Sequence, residues 1–402
     1  NSWKRETKRG KQGKCRTFTN FRLFFHFWEY TEERMVRTVK KCCVLLTLLL
    51  LCGCLPLQES AAKREEARME ADLQAEQWCF HYEQMDASLR PAYASLYAGM
   101  SAFEAQIVLE GVQEEDVETL FRSVIEDHPR LFYIGSSYRY RLYADGSMVL
   151  EPTYVYDEEQ SIDIQQQIDE DCETILAEIP AGSEEERAAG LYAYVIEHAE
   201  YARNDRDQQM DGFFLNGKSV CAGYARAYQY LMQKAGFRCT TISGELREGT
   251  LSAASQDRSH AWNLVWMDDD WFYVDATSGD VVQYGPHTCY QYFKMSSQEA
   301  SQLYETTFSL PQTADPSQSY FRRHHFYLTG YEEAILQEAI DAMKERGDHV
   351  LELRSDPGQS EALREALVAD DRIFRLLARN GIDVDTLGCA QMEALGSLEL
   401  YY

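Results

Sequence analysis

Three side chains in this sequence have the types and the setting for covalent acyl chemistry: Cys221 in NGKSVCAGYARAYQYLMQKAG (216–236), His260 in SHAWNLVW and Asp275 in WFYVDATSGD. A thiol attacks a carbonyl as thiolate, and a helix N-terminus can bring a thiol pKa from about 8.5 down to roughly 3.5–7.5. Asn216-Gly217-Lys218-Ser219 reads as a loop. Tyr224, Ala227, Tyr228, Leu231 and Ala235 then recur at helical spacing, and Gly236 suits the residue past the helix end. That pattern predicts Cys221 at or just before the first turn, where free N–H groups favour an anion and can line an oxyanion site. Small Ala222 and Gly223 leave room for a substrate backbone, and Tyr201, upstream of the loop, is a further cleft candidate.

A nucleophile needs a base, and the base needs an orienter. On a strand beginning at His260, Trp262, Leu264 and Trp266 share its face; on the next strand Trp271, Tyr273 and Asp275 share one. A turn of two or four residues across Asp268-Asp269-Asp270 makes even positions oppose odd ones, so that His260 and Asp275 point from one face. A three-residue turn separates them. Trp262, Trp266, Trp271 and Tyr273 read as core and cleft wall. The aspartate run reads as a solvated turn, since no twelve-residue ligand pattern surrounds it. His128, before Pro129, reads as a helix-end residue. His324 and His325 have no carboxylate or cysteine at ligand spacing, and no cysteine pair has CxxC spacing, so neither a metal nor a cofactor is expected.

The three motifs, in this order and spacing, resemble the transglutaminase-like superfamily, and more closely the exported transglutaminase-like proteins of Gram-positive bacteria. The resemblance covers about 185–285 and extends more weakly to IEDHPRLFYI and YQYFKMSSQEA. It implies an α+β, papain-like core: a helical layer bearing the cysteine, packed on an antiparallel sheet bearing histidine and aspartate. It also implies the roles, with Cys221 as nucleophile, His260 as general base and acid, and Asp275 as orienter. Ser219 stands where glycine is usual in that family, and Ser278 where tryptophan is frequent. No tryptophan near Cys221 matches the oxyanion-assisting one of the animal cross-linking enzymes, and no acidic loop matches their calcium sites. The resemblance therefore implies hydrolysis of a protein or peptide amide rather than cross-linking; the alternative is an inactive surface module that binds a protein or wall polymer.

The chain of 402 residues carries a net charge of -27, divided as +8 over residues 1–53 and -35 beyond them. Such acidity argues against nucleic-acid binding, because the phosphate backbone repels it. MVRTVKKCCVLLTLLLLCGC, from Met35, has a basic start and an apolar run from Cys42 to Leu51, the layout of an export signal. The run is too short to span a membrane, which takes about 20 apolar residues. Leu51-Cys52-Gly53-Cys54 resembles a bacterial lipoprotein box, which implies a lipid on Cys54 and anchoring at the outer face of the membrane; a plain secretory signal is the alternative.

The expected organisation is upstream read-through without structure at 1–34, the signal at 35–54 and a helical spacer at 55–75. An N-terminal α+β module at 76–160 precedes the catalytic core at 161–310, and an α/β addition at 311–402 closes the chain. Oligomeric state is open. Within the N-terminal module, residues 91–111 and 114–135 read as helical patterns, followed by a hairpin turning at Asp145-Gly146. In the C-terminal part, HHFYLTG and HVLELRSD read as strands, each followed by a helix.

Overall fold

The computed structural model describes residues 6–10, 13–19, 78–248, 258–280 and 287–402. The signal-like segment, Cys54 and the spacer lie outside the described residues. Two short strands, β1 (Glu6–Gly10) and β2 (Gly13–Thr19), form a hairpin within the region expected to carry no structure. The N-terminal module then runs α1 (Phe80–Gln84), α2 (Arg90–Ser101), β3 (Ile107–Leu109), α3 (Val117–Asp127), β4 (Ile134–Leu142) and β5 (Met148–Tyr154). Its sheet has the order β1-β2-β4-β5-β3. β2 pairs antiparallel with β4, whose free edge would otherwise expose unpaired N–H and C=O groups. That edge is the physical reason the hairpin finds a place.

The β4–β5 hairpin turns at Asp145-Gly146, with Gly146 at φ +88°, where a glycine carries no Cβ penalty. Residues Ile107–Leu109, expected to continue a helix, are instead a strand paired with β5, and Ile107 and Leu109 are buried beneath it. Burial on a sheet edge decided the conformation of a segment too short to show its period.

The core begins with two long helices whose starts are chemically marked. Asp157 caps α4 (Glu158–Glu178), and Ser183 caps α5 (Glu184–His198). Each forms a capping box with the residue three positions on, Gln160 and Glu186. A two-strand parallel pair, β6 (Glu200–Tyr201) and β7 (Lys218–Ser219), brackets α6 (Met210–Asn216). Next come α7 (Cys221–Lys234), β8 (Arg238–Leu246), β9 (Ser259–Met267), β10 (Asp270–Val274) and α8 (Ala276–Gly279). After them, α9 (Ser297–Leu303) leads directly into β11 (Tyr304–Glu305). The sheet is antiparallel with order β10-β9-β8-β11, and α7 packs across β8 and β9. Buried Tyr224, Ala227, Tyr228 and Leu231 form the packing face of α7, and Gly236 at φ +90° closes its end. One continuous apolar core runs from Tyr82 and Leu96 in the N-terminal module to Tyr228, Val265 and Phe293, so the module and the central region are packed as one body.

The C-terminal part has its own core around Leu336, Ile340, Leu353, Leu376 and Leu398. It comprises α10 (Tyr320–Arg323), α11 (Glu333–Glu345), β12 (Val350–Arg354), α12 (Ser360–Val368), α13 (Arg372–Arg379), β13 (Gly388–Met392) and β14 (Ser397–Tyr401). Its sheet, β12-β14-β13, is antiparallel throughout, so the expected α/β layer is α+β. The expected strand at HHFYLTG reduces to a single bridge, Tyr327 with Arg354, because α10 takes the residues before His324. No described helix is long and apolar enough to cross a membrane.

Candidate active site

Cys221 is the first residue of α7, and the extended Val220 before it caps the helix with no side-chain partner. The thiol therefore lies beside N–H groups at the positive end of the helix, and the residue is half-buried. The β9–β10 turn holds two residues, Asp268 and Asp269, both at positive φ (50° and 61°), with Met267 opposite Asp270. This is the primed geometry that matches the twist of paired strands. Continuing that register sets Asp275 opposite Trp262, with His260 two residues along on the same face.

His260 Nε2 lies 2.7 Å from Asp275 Oδ2. The Cys221 thiol lies close enough to the imidazole to act on its ionisation. With Nε2 engaged by the carboxylate, Nδ1 is the ring nitrogen left for the sulfur. Exposure falls along the series: Cys221 is half-buried, His260 is 9% exposed and Asp275 1%. Burial works against the charged imidazole, yet the Asp275 carboxylate and the thiol override it and raise the His260 pKa to about 10. Asp275 is likewise opposed by burial, but His260 and the hydrogen bonds from Ser278 hold its carboxyl below its ordinary range.

The aspartate is held from four sides. As the cap of α8 it accepts the Ser278 N–H at 3.0 Å and the Ser278 hydroxyl at 2.6 Å. Tyr304 OH donates at 2.7 Å to the same oxygen that meets His260. The Tyr304 ring stacks on Trp262 at 4.5 Å and 15°, and Trp262 stacks in turn beside His260. Tyr304 has no sequence signal, since it comes 29 residues after Asp275 in a two-residue strand. Arg226 is a second residue that the motifs do not reveal. It is half-buried on α7, with its guanidinium donating to Gln209 Oε1 at 3.0 Å. Burial lowers its pKa, while the nearby Glu126 and Cys221 charges oppose that lowering.

The cleft candidates divide. Ala222 is half-buried beside Cys221, and Tyr201 is 54% exposed with its ring 6.2 Å from Tyr224. Gly223 does not open on a cleft. A Cβ there would lie 2.5 Å from the Asp207 carbonyl and 2.5 Å from Ser219 Oγ, so its missing side chain admits the 202–209 loop rather than a substrate. Trp262, 1% exposed, lies behind His260 in the core and lines no open surface. The aspartate turn is more than solvated polarity. Asp268 pairs with Lys294 at 2.5 Å and Arg323 at 2.7 Å, and Asp270 accepts the Ala314 and Asp315 N–H groups. His128 ends α3, buried, with Tyr93 OH 3.0 Å away, and His324 meets Glu185 at 2.5 Å.

Removing only the Tyr304 hydroxyl tests whether the carboxylate needs it. A hydrogen bond to a charged group contributes about 1.5–3 kcal/mol. Tyr304→Phe, which keeps the stack on Trp262, is expected to slow alkylation of Cys221 by about tenfold. Alkylation of the exposed Cys389 should stay unchanged. Equal slowing of both thiols would mean a global change instead.

A cysteine at a helix start, facing a histidine and an aspartate on an antiparallel sheet, defines a transglutaminase-like, papain-like fold. Residues 173–276, which contain all three, match the family model described as the transglutaminase-like superfamily. Kyphoscoliosis peptidase of Mus musculus is 30% identical over 108 residues, which is 25% of this chain and 16% of that protein. The Homo sapiens protein of the same name is 29% identical over 103 residues, 23% of this chain and 16% of its own length. The chain thus spans about a sixth of the curated relatives it matches. Among solved structures, a TGase aligns at 13% identity and TM-score 0.27, over 44% of this chain and 52% of its own. The periplasmic domain of TgpA from Pseudomonas aeruginosa aligns at 19% identity and TM-score 0.22, over 34% and 54%.

Proposed function

We propose that this protein is an extracytoplasmic cysteine-dependent acyl-transfer enzyme acting on amide or peptide bonds, held at the membrane by a lipid on Cys54. One observation carries the reading: a buried imidazole held by a fully buried aspartate lies beside a half-exposed thiol at a helix N-terminus. The basic start, short apolar run and Leu-Cys-Gly-Cys sequence before the acidic chain support export and anchoring.

In the mechanism, the Cys221 sulfur attacks the amide carbonyl while its proton resides on His260. N–H groups at the start of α7 receive the oxyanion. His260 then protonates the leaving amine, the C–N bond breaks and a thioester remains on Cys221. Water, deprotonated by His260, attacks the thioester, releases the acid and restores the thiol. An amine in place of water would give transfer. Hydrolysis is favoured: the mammalian relatives bear the name peptidase, and the sequence has no counterpart of the tryptophan and calcium loops of the cross-linking enzymes.

The test is mass spectrometry of peptide mixtures incubated with the full chain and with Cys221→Ala. New N-termini, absent with the variant, are the expected result. Side-chain deamidation or amine incorporation would redirect the reading within the same chemistry. None of the three, with peptides retained on the protein, would leave a binding module and overturn it.

A further inference from the structure

A second buried cluster lies where the loop after α8 meets the C-terminal sheet. His287, Cys289 and Glu352 are all buried, and one potential ligand atom from each lies within 4.8 Å of the others. His287 Nε2 is 3.5 Å from Glu352 Oε1, and Cys289 Sγ is 3.6 Å from Glu352 Oε2. Glu399 Oε1 is 3.5 Å from the same sulfur but lies outside that group of three. Zinc bonds of about 2.0–2.1 Å to nitrogen and oxygen and 2.3 Å to sulfur, at tetrahedral angles, put neighbouring donors about 3.3–3.7 Å apart. The two separations from Glu352 fall in that interval.

The surroundings favour a cation over a purely protein-made arrangement. Glu352 and Glu399 are directly opposite in the β12–β14 register, and both are buried. Like charges facing across a strand pair are destabilising, and burial raises the cost. Neither nitrogen of the His287 ring has a hydrogen-bond partner of good geometry, nor does Glu352 Oε1, although all three atoms are shut away from water. His287 Nδ1 nevertheless lies 2.8 Å from Asp348 Oδ2, an arrangement in which a carboxylate orients a histidine whose other nitrogen binds metal. Burial and the two glutamates push the Cys289 thiol well up, and burial likewise raises Glu352, to about 7. A divalent ion at the centre would reverse both tendencies.

We infer that His287, Cys289 and Glu352 form a zinc site that fastens the C-terminal domain to the catalytic core. Binding uses neutral His287, the Cys289 thiolate and the Glu352 carboxylate; the thiol proton, and any proton on Glu352, passes to solvent. The three donors are all buried at a seam rather than set in an open cleft, which assigns a structural rather than a catalytic role. The ion would act at a strategic seam. Cys289 N–H bonds to the Gly279 carbonyl at 3.0 Å, Thr288 bridges Asp280, and Tyr192 OH donates to the Cys289 carbonyl at 2.6 Å. The ligands would therefore join β12 to the segment that follows Asp275 and α8. Spacing along the chain gave no warning, because the donors come from a loop at 287–289 and from a strand more than sixty residues away.

The experiment is cobalt(II) titration of the EDTA-treated full chain carrying Cys221→Ala, which removes the active-site sulfur as a competing ligand. One equivalent should produce a thiolate-to-cobalt absorption band, which zinc then bleaches. Zinc should also raise Tm by several degrees at a hundredfold excess over Kd. Adding Cys289→Ser should remove the band. The near-isosteric Glu352→Gln should weaken binding at least tenfold while keeping the metal-free Tm. Cys389→Ser, in the same domain, should bind as the parent does. No band and no thermal shift, or a band that survives in Cys289→Ser, would overturn the assignment.

Discussion

At pH 6, iodoacetamide is expected to modify Cys221 at least tenfold faster than Cys389 in the same molecule, and His260→Ala should erase the difference. Cys389 is an internal reference: it is exposed, and partial burial raises its pKa, so under about 1% of it is thiolate at that pH. Cys221 differs in two respects, its place at the start of α7 and its nearness to an imidazole whose pKa Asp275 raises. An imidazolium beside the sulfur stabilises negative charge there, as does the helix end. A stabilised thiolate is a weaker nucleophile, which returns part of the gain. The expectation of tenfold is what survives. The remaining described cysteines, 79, 172, 239 and 289, are buried and should react last. Peptide mapping of a timed reaction reads all six rates at once. If Cys221 and Cys389 react alike in the unmodified protein, the proposed chemistry loses its foundation.

The elements that position the site were legible to different degrees, for physical reasons. Helix α7 announces itself through period, a loop-like approach and a terminal glycine, all of them local signals. The relation of His260 to Asp275 could be reduced to a parity condition on one turn, but not decided. Whether Asp268 and Asp269 both enter the left-handed region depends on Lys294 and Arg323 gripping Asp268 from elsewhere. Tyr304 and Arg226 show no pattern because their roles arise from tertiary proximity alone. Gly223 misleads for a related reason: small residues beside a nucleophile suggest space for substrate, yet a loop of the protein occupies that space. The strand β12 was legible in HVLELRSD, but not that Glu352 and Arg354 on it, and Glu399 opposite on β14, would be buried.

The second large effect concerns Asp275, and it should depend on pH with a definite sign. Asp275→Asn keeps the shape and the Ser278 contact but removes the charge that holds His260 protonated. In the folded protein the His260 pKa is raised to about 10, against about 6.5 for an unperturbed histidine. A group raised on folding contributes stability that is fully present below its unfolded pKa and is lost as pH climbs through the folded one. Asp275, held below its ordinary range, contributes above about pH 3.9 and loses that only in acid, so it sets no slope at neutral pH. The stability advantage of the unmodified protein over Asp275→Asn should therefore be greatest near pH 5–6, where His260 is charged in both folded and unfolded states. From about pH 6.5 to 10 it should shrink, at no more than about 1.4 kcal/mol per pH unit for one proton. Above that range only the difference in hydrogen bonding remains. Denaturant unfolding of both proteins at pH 6, 8 and 10, with Cys221→Ala in each to remove the thiol's own titration, measures the trend. A gap that is constant across that range would mean that His260 is neutral in the fold, and that the aspartate orients the ring without charging it.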